Sequence, residues 1–190
     1  MSAEKLLDGV RQDILRHCFG PHDGPLASGK YADNKLDLEG IPNSRWLAVR
    51  VSALSRVRVL GYDVLPSLIV PVPNGANWLG WNIAMSIGVD TVTLDKDPET
   101  RAVSAQPDAL GTIEEHKNIL IVEDVVNELT TTRKVIDVVG IERVLGVFCI
   151  WDRGDQDTRP GIGAKVDALI QEHIPLTLPD DSPYRQYLGE

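Results

Sequence analysis

The segment from Asn118 to Gly140 reads NILIVEDVVNELTTTRKVIDVVG, and its reading decides the fold. Ile119 to Val122 is an unbroken apolar run, the composition of a strand covered on both faces in a parallel sheet. The run ends in two acids, Glu123 and Asp124. A polar turn follows, and then an amphipathic pattern predicts a helix that begins near Thr130 to Thr132 and stops before Gly140. Open parallel sheets bind ligands beyond the carboxyl ends of their strands, which is where this pattern puts the two acids.

Working outward, LPSLIVPVP (residues 65 to 73) is a second buried strand, and NGANWLGWNIAMSIG turns through Gly75 into a helix. A short strand, DTVTL at residues 90 to 94, completes a βαβ unit. Downstream, RVLGVFCIWD is another buried strand and AKVDALIQ a weaker last one. Alternating strands and helices imply an α/β domain, a doubly wound parallel sheet carrying Leu68 to Val72, Thr91 to Leu94, Ile119 to Glu123 and Leu145 to Ile150.

Toward the N-terminus, residues 3 to 18 repeat apolar positions at three- and four-residue intervals and predict an opening helix. Residues 19 to 33 are rich in Gly and Pro and read as a loop entering a short strand near Lys35 to Leu38. Ser44 to Leu60 predicts a helix with Ser44 as N-cap, Gly61 as terminator and its arginines as a solvated face. Residues 95 to 117 show no sustained period and read as a long mobile loop. The whole is one domain: helix and small hood at 1 to 43, α/β core at 44 to 178, polar tail at 179 to 190.

A 190-residue chain with 43% hydrophobic and 25% charged residues is ordinary globular material with enough surface to bury for a full core. Its net charge of -9 argues against nucleic acid or an anionic membrane as partner, since both demand clustered cations. Cys18 and Cys149 have no metal-ligand spacing, and the first residues do not read as a signal peptide, so a reducing cytoplasm is the expected location. His17, His22, His116 and His173 fit no catalytic or metal pattern.

Two carboxylates at a strand end suit sugar hydroxyls or a metal-bound phosphate, and the helix behind them offers free N–H groups and a positive dipole end. The alternative is that Glu123 and Asp124 are solvated strand-end acids and the threonines only caps. Arg153 likewise has a plain reading, a surface ion-pair cluster with Asp152, Asp155 and Asp157; if it instead faces the pocket beside Asp124, Arg153→Ala weakens binding of an anionic ligand and leaves stability nearly unchanged, an exposed ion pair being worth about 0–1 kcal/mol. Trp78 and Trp81 belong to core or interface, and Trp46 and Trp151 carry no assigned role.

IVEDVVNELTTTRKV resembles, without a gap, the ribose-phosphate loop of type I phosphoribosyltransferases: apolar strand, two acids, two apolar residues, then a short turn. LASGKYAD (26 to 33), VPVPNGANWLGWNIA (70 to 84) and CIWDRGDQD (149 to 157) are similar, in order, to three further segments of the orotate phosphoribosyltransferases. The resemblance implies transfer of phosphoribosyl from phosphoribosyl pyrophosphate (PRPP) to a nucleobase, orotate, with Mg2+ bound alongside PRPP and a homodimer as the working form. It gives Asp124 and Lys96 catalytic positions. Glu123, Asp124, Asn127, Glu128, Leu129, Thr130 and Thr131, with Asn74 and Gly75, would bind PRPP. Ser28, Gly29, Lys30 and Arg153 would face the base, and no residue is assigned directly to the metal.

The sequence departs from that family at Asn127 and Leu129, where the turn usually holds Thr and Gly, and at Glu128, which adds a carboxylate beside the expected phosphate. The basic strand end and loop of the family shrink to Lys96 and Arg101, with Asp95 in place of an Arg. Weak PRPP binding and low turnover are the expectation, because Leu resists left-handed backbone angles and uncompensated anions repel one another.

Overall fold

The fold is given by a computed structural model that describes residues 3–26, 29–157 and 159–188. Its centre is a five-stranded parallel sheet formed by β3 (Leu68–Pro71), β4 (Asp90–Thr91), β7 (Ile119–Val126), β8 (Val144–Asp152) and β9 (Val166–Gln171). The spatial order is β4-β3-β7-β8-β9. The chain thus runs outward from β3 to β4 and then returns to the other side of β3 with β7. Between β3 and β7 lies the switch point, where a crevice opens beyond the strand ends.

Helices α1 (Ala3–Cys18), α2 (Arg45–Leu60) and α3 (Asn77–Ile87) cover one face. One apolar core joins Val10 and Ile14 of α1, Leu47, Val51 and Val59 of α2, and Leu79 and Ile83 of α3 to Ile69, Leu120, Val122, Phe148 and Ile150. The other face is covered by α4 (Pro107–Glu115) and α5 (Thr130–Val139), whose Ile113, Val135, Ile136 and Val139 pack on Leu68, Val70, Ile119, Ile121 and Val147. The strands alternate between these two cores, which is why β7 and β8 read as continuous apolar runs. α3 sits close on β3 because position 80 is glycine: a Cβ there would lie 2.8 Å from the Pro71 side chain.

Several expectations need correction. The stretch expected as a loop at 19 to 33 holds strand instead: β1 (Phe19–Pro25) pairs antiparallel with β2 (Tyr31–Leu36), which is the expected short strand begun earlier, with a register shift between Pro21 and Gly24. Prolines and glycines are tolerated because this is a two-stranded ribbon whose outer edges need no partner. The predicted long loop at 95 to 117 holds a small hairpin, β5 (Asp95–Lys96) with β6 (Val103–Ser104), followed by α4 opening on Pro107. The strand expected at Thr91 to Leu94 is shortened to Asp90–Thr91. The polar tail, as bounded at 179 to 190, is tied to the core by Tyr184, which donates to Glu172 at 2.6 Å, and by Tyr187, which donates to Gln12 at 3.0 Å.

The arginines of α2 lie largely on its solvated face, as expected: Arg45, Arg56 and Arg58 are exposed and Arg50 is half-buried. Arg50 pairs with Asp13 at 2.7 Å, Arg58 with Asp167 at 2.6 Å, and Arg56 donates to the Ser86 carbonyl at 3.1 Å. Beside them Trp46, Val49, Val57 and Leu60 are exposed as well.

Candidate functional site

At the end of β7 the chain leaves the sheet through Asn127 and Glu128, passes Leu129 and enters α5 at Thr130. Leu129 has φ 58° and ψ 22°, the left-handed region that usually asks for glycine. Its side chain is buried with Val126 and Cys149, and that apolar anchorage opposes a conformational cost of roughly 1–2 kcal/mol. The sharp turn is therefore kept although the residue is changed. The first N–H groups of α5 have no intrahelical acceptor, and Leu129 offers them none. They border a cleft of about 90 Å3 whose other walls are Glu123, Val125, Asn127 and Glu128.

Glu123 and Asp124 stand below this turn, partly accessible but closely surrounded. The Thr132 hydroxyl donates to Glu123 Oε2. Burial pushes the Glu123 carboxyl up to about 8, with Asp124 adding to the shift and Thr132 and Lys96 opposing it. Asp124 is also raised, by burial first and by the carboxylates of Glu39 and Asp37, against the Val125 N–H that donates to Oδ1 at 2.8 Å.

Gly75, on the loop from β3 to α3, touches this carboxylate across the switch point. A Cβ at position 75 would come within 2.7 Å of Asp124 Oδ2, so only glycine leaves Asp124 where it is. Asn74 beside it is exposed and is joined to Pro73 by a cis peptide. Lys96 reaches the same loop from β5, its Nζ 3.5 Å from the Pro73 carbonyl. Burial and the neighbouring Arg101 hold the Lys96 amine below its ordinary range, while Glu123 and Asp124 act the other way.

A second cavity, about 160 Å3, adjoins the first at Val125 and Asn127. Asp124 and Arg153 form one side, and Leu26 with Lys35 to Glu39 the other. Arg153 lies immediately beyond β8 and is 2% exposed, so the surface-cluster reading fails. Its Nη2 donates to Asn34 Oδ1 at 2.7 Å and to the carbonyls of Ile174 and Pro175 at 3.0 and 3.1 Å, and its Nε reaches Ile174 at 3.3 Å. Burial lowers the guanidinium to about 10, with Asp33 opposing. Arg153→Ala would strand two buried acceptors, Asn34 Oδ1 and the Ile174 carbonyl, so the expectation of unchanged stability is also overturned.

The acid next to it behaves differently. Asp152 is bound bidentately by Arg159 at 2.6 and 3.0 Å, and Arg159 is a residue the sequence reading missed. Nor did sequence single out Thr132, one position beyond the expected turn, or Asn34, whose only signal is a polar residue within a short strand.

Among the hood residues, Lys30 reaches over the turn and pairs with Glu128 at 2.9 Å, offsetting the carboxylate that stood out as misplaced. Gly29 has φ 81°. Ser28 lies outside the described residues. Among the described residues no group of three or more His, Cys, Asp or Glu could hold a metal ion, and no helix is long and apolar enough to cross a membrane.

No family model matches the sequence, and no curated protein matches it. Solved structures do. An orotate phosphoribosyltransferase from Aeropyrum pernix superposes with a TM-score of 0.65 at 16% identity, over 87% of this chain and 93% of that one. An adenine phosphoribosyltransferase from Trypanosoma brucei, in complex with AMP, pyrophosphate and ribose-5-phosphate, gives 0.63 at 13% identity over 95% and 84%. The Mycobacterium tuberculosis orotate phosphoribosyltransferase, in complex with inorganic phosphate, gives 0.62 at 16% over 88% and 96%. At these identities the likeness speaks for the fold: the chain has the type I phosphoribosyltransferase fold.

Proposed function

We propose that this chain is a phosphoribosyltransferase that binds PRPP with Mg2+ and transfers its phosphoribosyl group to a nucleobase, with orotate as the base the resemblance names. The same reading makes it a cytoplasmic homodimer, with neither nucleic acid nor membrane as partner. One observation carries it: at a single strand end the open N-terminus of α5, the Glu123–Asp124 pair and the inward side of Arg153 border two adjoining cavities.

On this reading the 5′-phosphate rests on the amides and hydroxyls from Asn127 to Thr131, where free N–H groups favour an anion. The ribose hydroxyls donate to Glu123 and Asp124, which must be ionised to accept both. Asn74, Gly75 and Lys96 face the leaving pyrophosphate. The base enters between the hood residues Ser28 to Lys30 and Arg153, whose Nη1 has no partner among the described residues and can donate to a base carbonyl or carboxylate. A ring nitrogen bonds to the ribose carbon as that carbon's bond to pyrophosphate breaks; the electron pair leaves with the pyrophosphate, and the proton of the ring N–H passes to solvent.

Mg2+ needs only one or two protein carboxylates when ligand phosphates complete its shell, which fits Asp124 and the scarcity of other ligands. Bound there, it would neutralise charge on the departing oxygens. Cations from the chain itself are few, Lys96 and Arg101 in the β5–β6 hairpin, and a missing preorganised charge contact costs on the order of a hundredfold in rate. Slow turnover follows, and the second reading, a PRPP-binding regulator, rests on the same deficit.

Calorimetric titration with PRPP and Mg2+, followed by pyrophosphate release across orotate, uracil and adenine, tests the proposal. Binding that Asp124→Asn abolishes, with slow release on one base, is expected. Absence of PRPP binding to the folded protein overturns it, and binding without release on any base leaves the regulator.

A further inference from the structure

Three threonines open α5, and they do not share one task. Thr130 and Thr131 border the cleft of about 90 Å3, whereas Thr132 is fully buried. Successive helical residues turn by about 100°, so the third side chain leaves the cleft and meets the end of β7, where its hydroxyl donates to Glu123 Oε2. A helical threonine often bonds instead to the carbonyl four residues back. Here that carbonyl belongs to Glu128, and it receives Arg133 Nη1 at 3.1 Å.

The contact divides the Glu123 carboxylate. Among the described residues no other group donates to it, and Lys96 is directed to the Pro73 carbonyl. Oε2 is therefore held, and Oε1 is left to the cleft that Glu123 lines. The backbone divides Asp124 in the same way, since the Val125 N–H donates to Oδ1 at 2.8 Å and Oδ2 is left beside Gly75. Each acid thus offers one oxygen, and the neighbouring acids together offer a pair. A carboxylate with one oxygen fixed has lost its rotational freedom before any ligand arrives, which lowers the cost of binding.

We propose that Thr132 is a positioning residue for the ribose: it pins Oε2 of Glu123 so that Oε1 accepts one sugar hydroxyl while Asp124 Oδ2 accepts the next. The proposal rests on the phosphoribosyl reading of this site and goes beyond it, because Thr132 is buried and acts only through Glu123. Valine matches the shape of threonine without the hydroxyl. Serine keeps the hydroxyl and gives up a methyl.

The test is calorimetric titration of the parent, Thr132→Val and Thr132→Ser with ribose 5-phosphate and with its 2-deoxy and 3-deoxy analogues. T132V is expected to bind ribose 5-phosphate about tenfold more weakly than the parent and T132S within about twofold, with circular dichroism unchanged in both. The deficit of T132V should vanish with one deoxy analogue, the same one whose binding Glu123→Gln leaves unaltered. The inference is overturned if T132V binds ribose 5-phosphate as the parent does, or if T132S is as weak as T132V. It is overturned equally if the deficit is the same with both analogues, which marks a packing defect. A parent that binds no ribose 5-phosphate brings down the functional reading and this inference with it, whereas a parent that binds beside an unaffected T132V leaves that reading standing.

Discussion

Strands β7 and β8 lie side by side, Val126 opposite Asp152, and both carry acids near their carboxyl ends, yet the two ends are built on opposite principles. At β8, Asp152 is sealed by a bidentate Arg159 and both side chains are buried. At β7, Glu123 and Asp124 share a confined space with one threonine hydroxyl, and the nearest cation, Lys96, bonds to neither. The first arrangement holds loops together. The second stores an unmet demand for protons, hydroxyls or cations, and groups whose affinity for protons is displaced in this way concentrate at functional sites.

The sharpest way to break the contrast is Arg159→Ala. Removing one partner of a buried pair leaves the other charge uncompensated, so a loss of about 3–5 kcal/mol is expected in urea denaturation. If the loss is below about 1 kcal/mol, the β8 pair is no different from a surface bridge.

The β7 end should respond in the reverse sense. The Glu123 carboxyl stands at about 8 in the fold against 4.5 when unperturbed, so its contribution to stability is complete below pH 4.5 and is lost as pH rises through about 8. Glu123→Gln should remove that slope and melt higher than the parent near pH 8, by roughly a few degrees. PRPP affinity should move oppositely, tightening toward pH 8 as the carboxylate forms. A parent and variant with parallel melting profiles between these pH values would show that Glu123 does not titrate there.

A smaller effect separates backbone from side chain at Leu129. Both Leu129→Gly and Leu129→Ala lose the buried side chain, but only Gly relaxes the left-handed turn, so the Ala variant should be the less stable by about 1 kcal/mol. Equal stabilities would mean that the turn relaxes freely. Smallest of all is Lys30→Ala, which removes an exposed bridge to Glu128 and should cost no more than about 1 kcal/mol, less in high salt.

The same contrast explains what the sequence could disclose. The end of β7 was legible because its strand, acids, turn and helix follow one another within a short stretch, each with a local signature. Thr130 to Val139 needed only periodicity and Gly140. Arg153 was located but not understood, since its burial comes from Asn34 and from the carbonyls of Ile174 and Pro175, which meet it only in the folded chain. Arg159 had no pattern to announce it. The β1–β2 hairpin was hidden by Pro21, Gly24 and Pro25, which signal a break even where an edge ribbon tolerates one. α4 left one usable sign, Pro107 at its first position, but with a single fully buried residue, Ile113, its apolar period was too short to see.

The distribution of tryptophans gives the molecule its own optical labels. Trp151 is buried, its indole N–H bonded to the Glu172 carbonyl at 3.0 Å, and it should emit at short wavelength whatever the state of assembly. Trp46 and Trp81 emit from water, with the Arg50 guanidinium 5.7 Å from the Trp46 ring. A soluble quencher should therefore reach these two indoles and spare Trp151 until the chain opens, so surface contact and unfolding can be told apart in one cuvette without a dye.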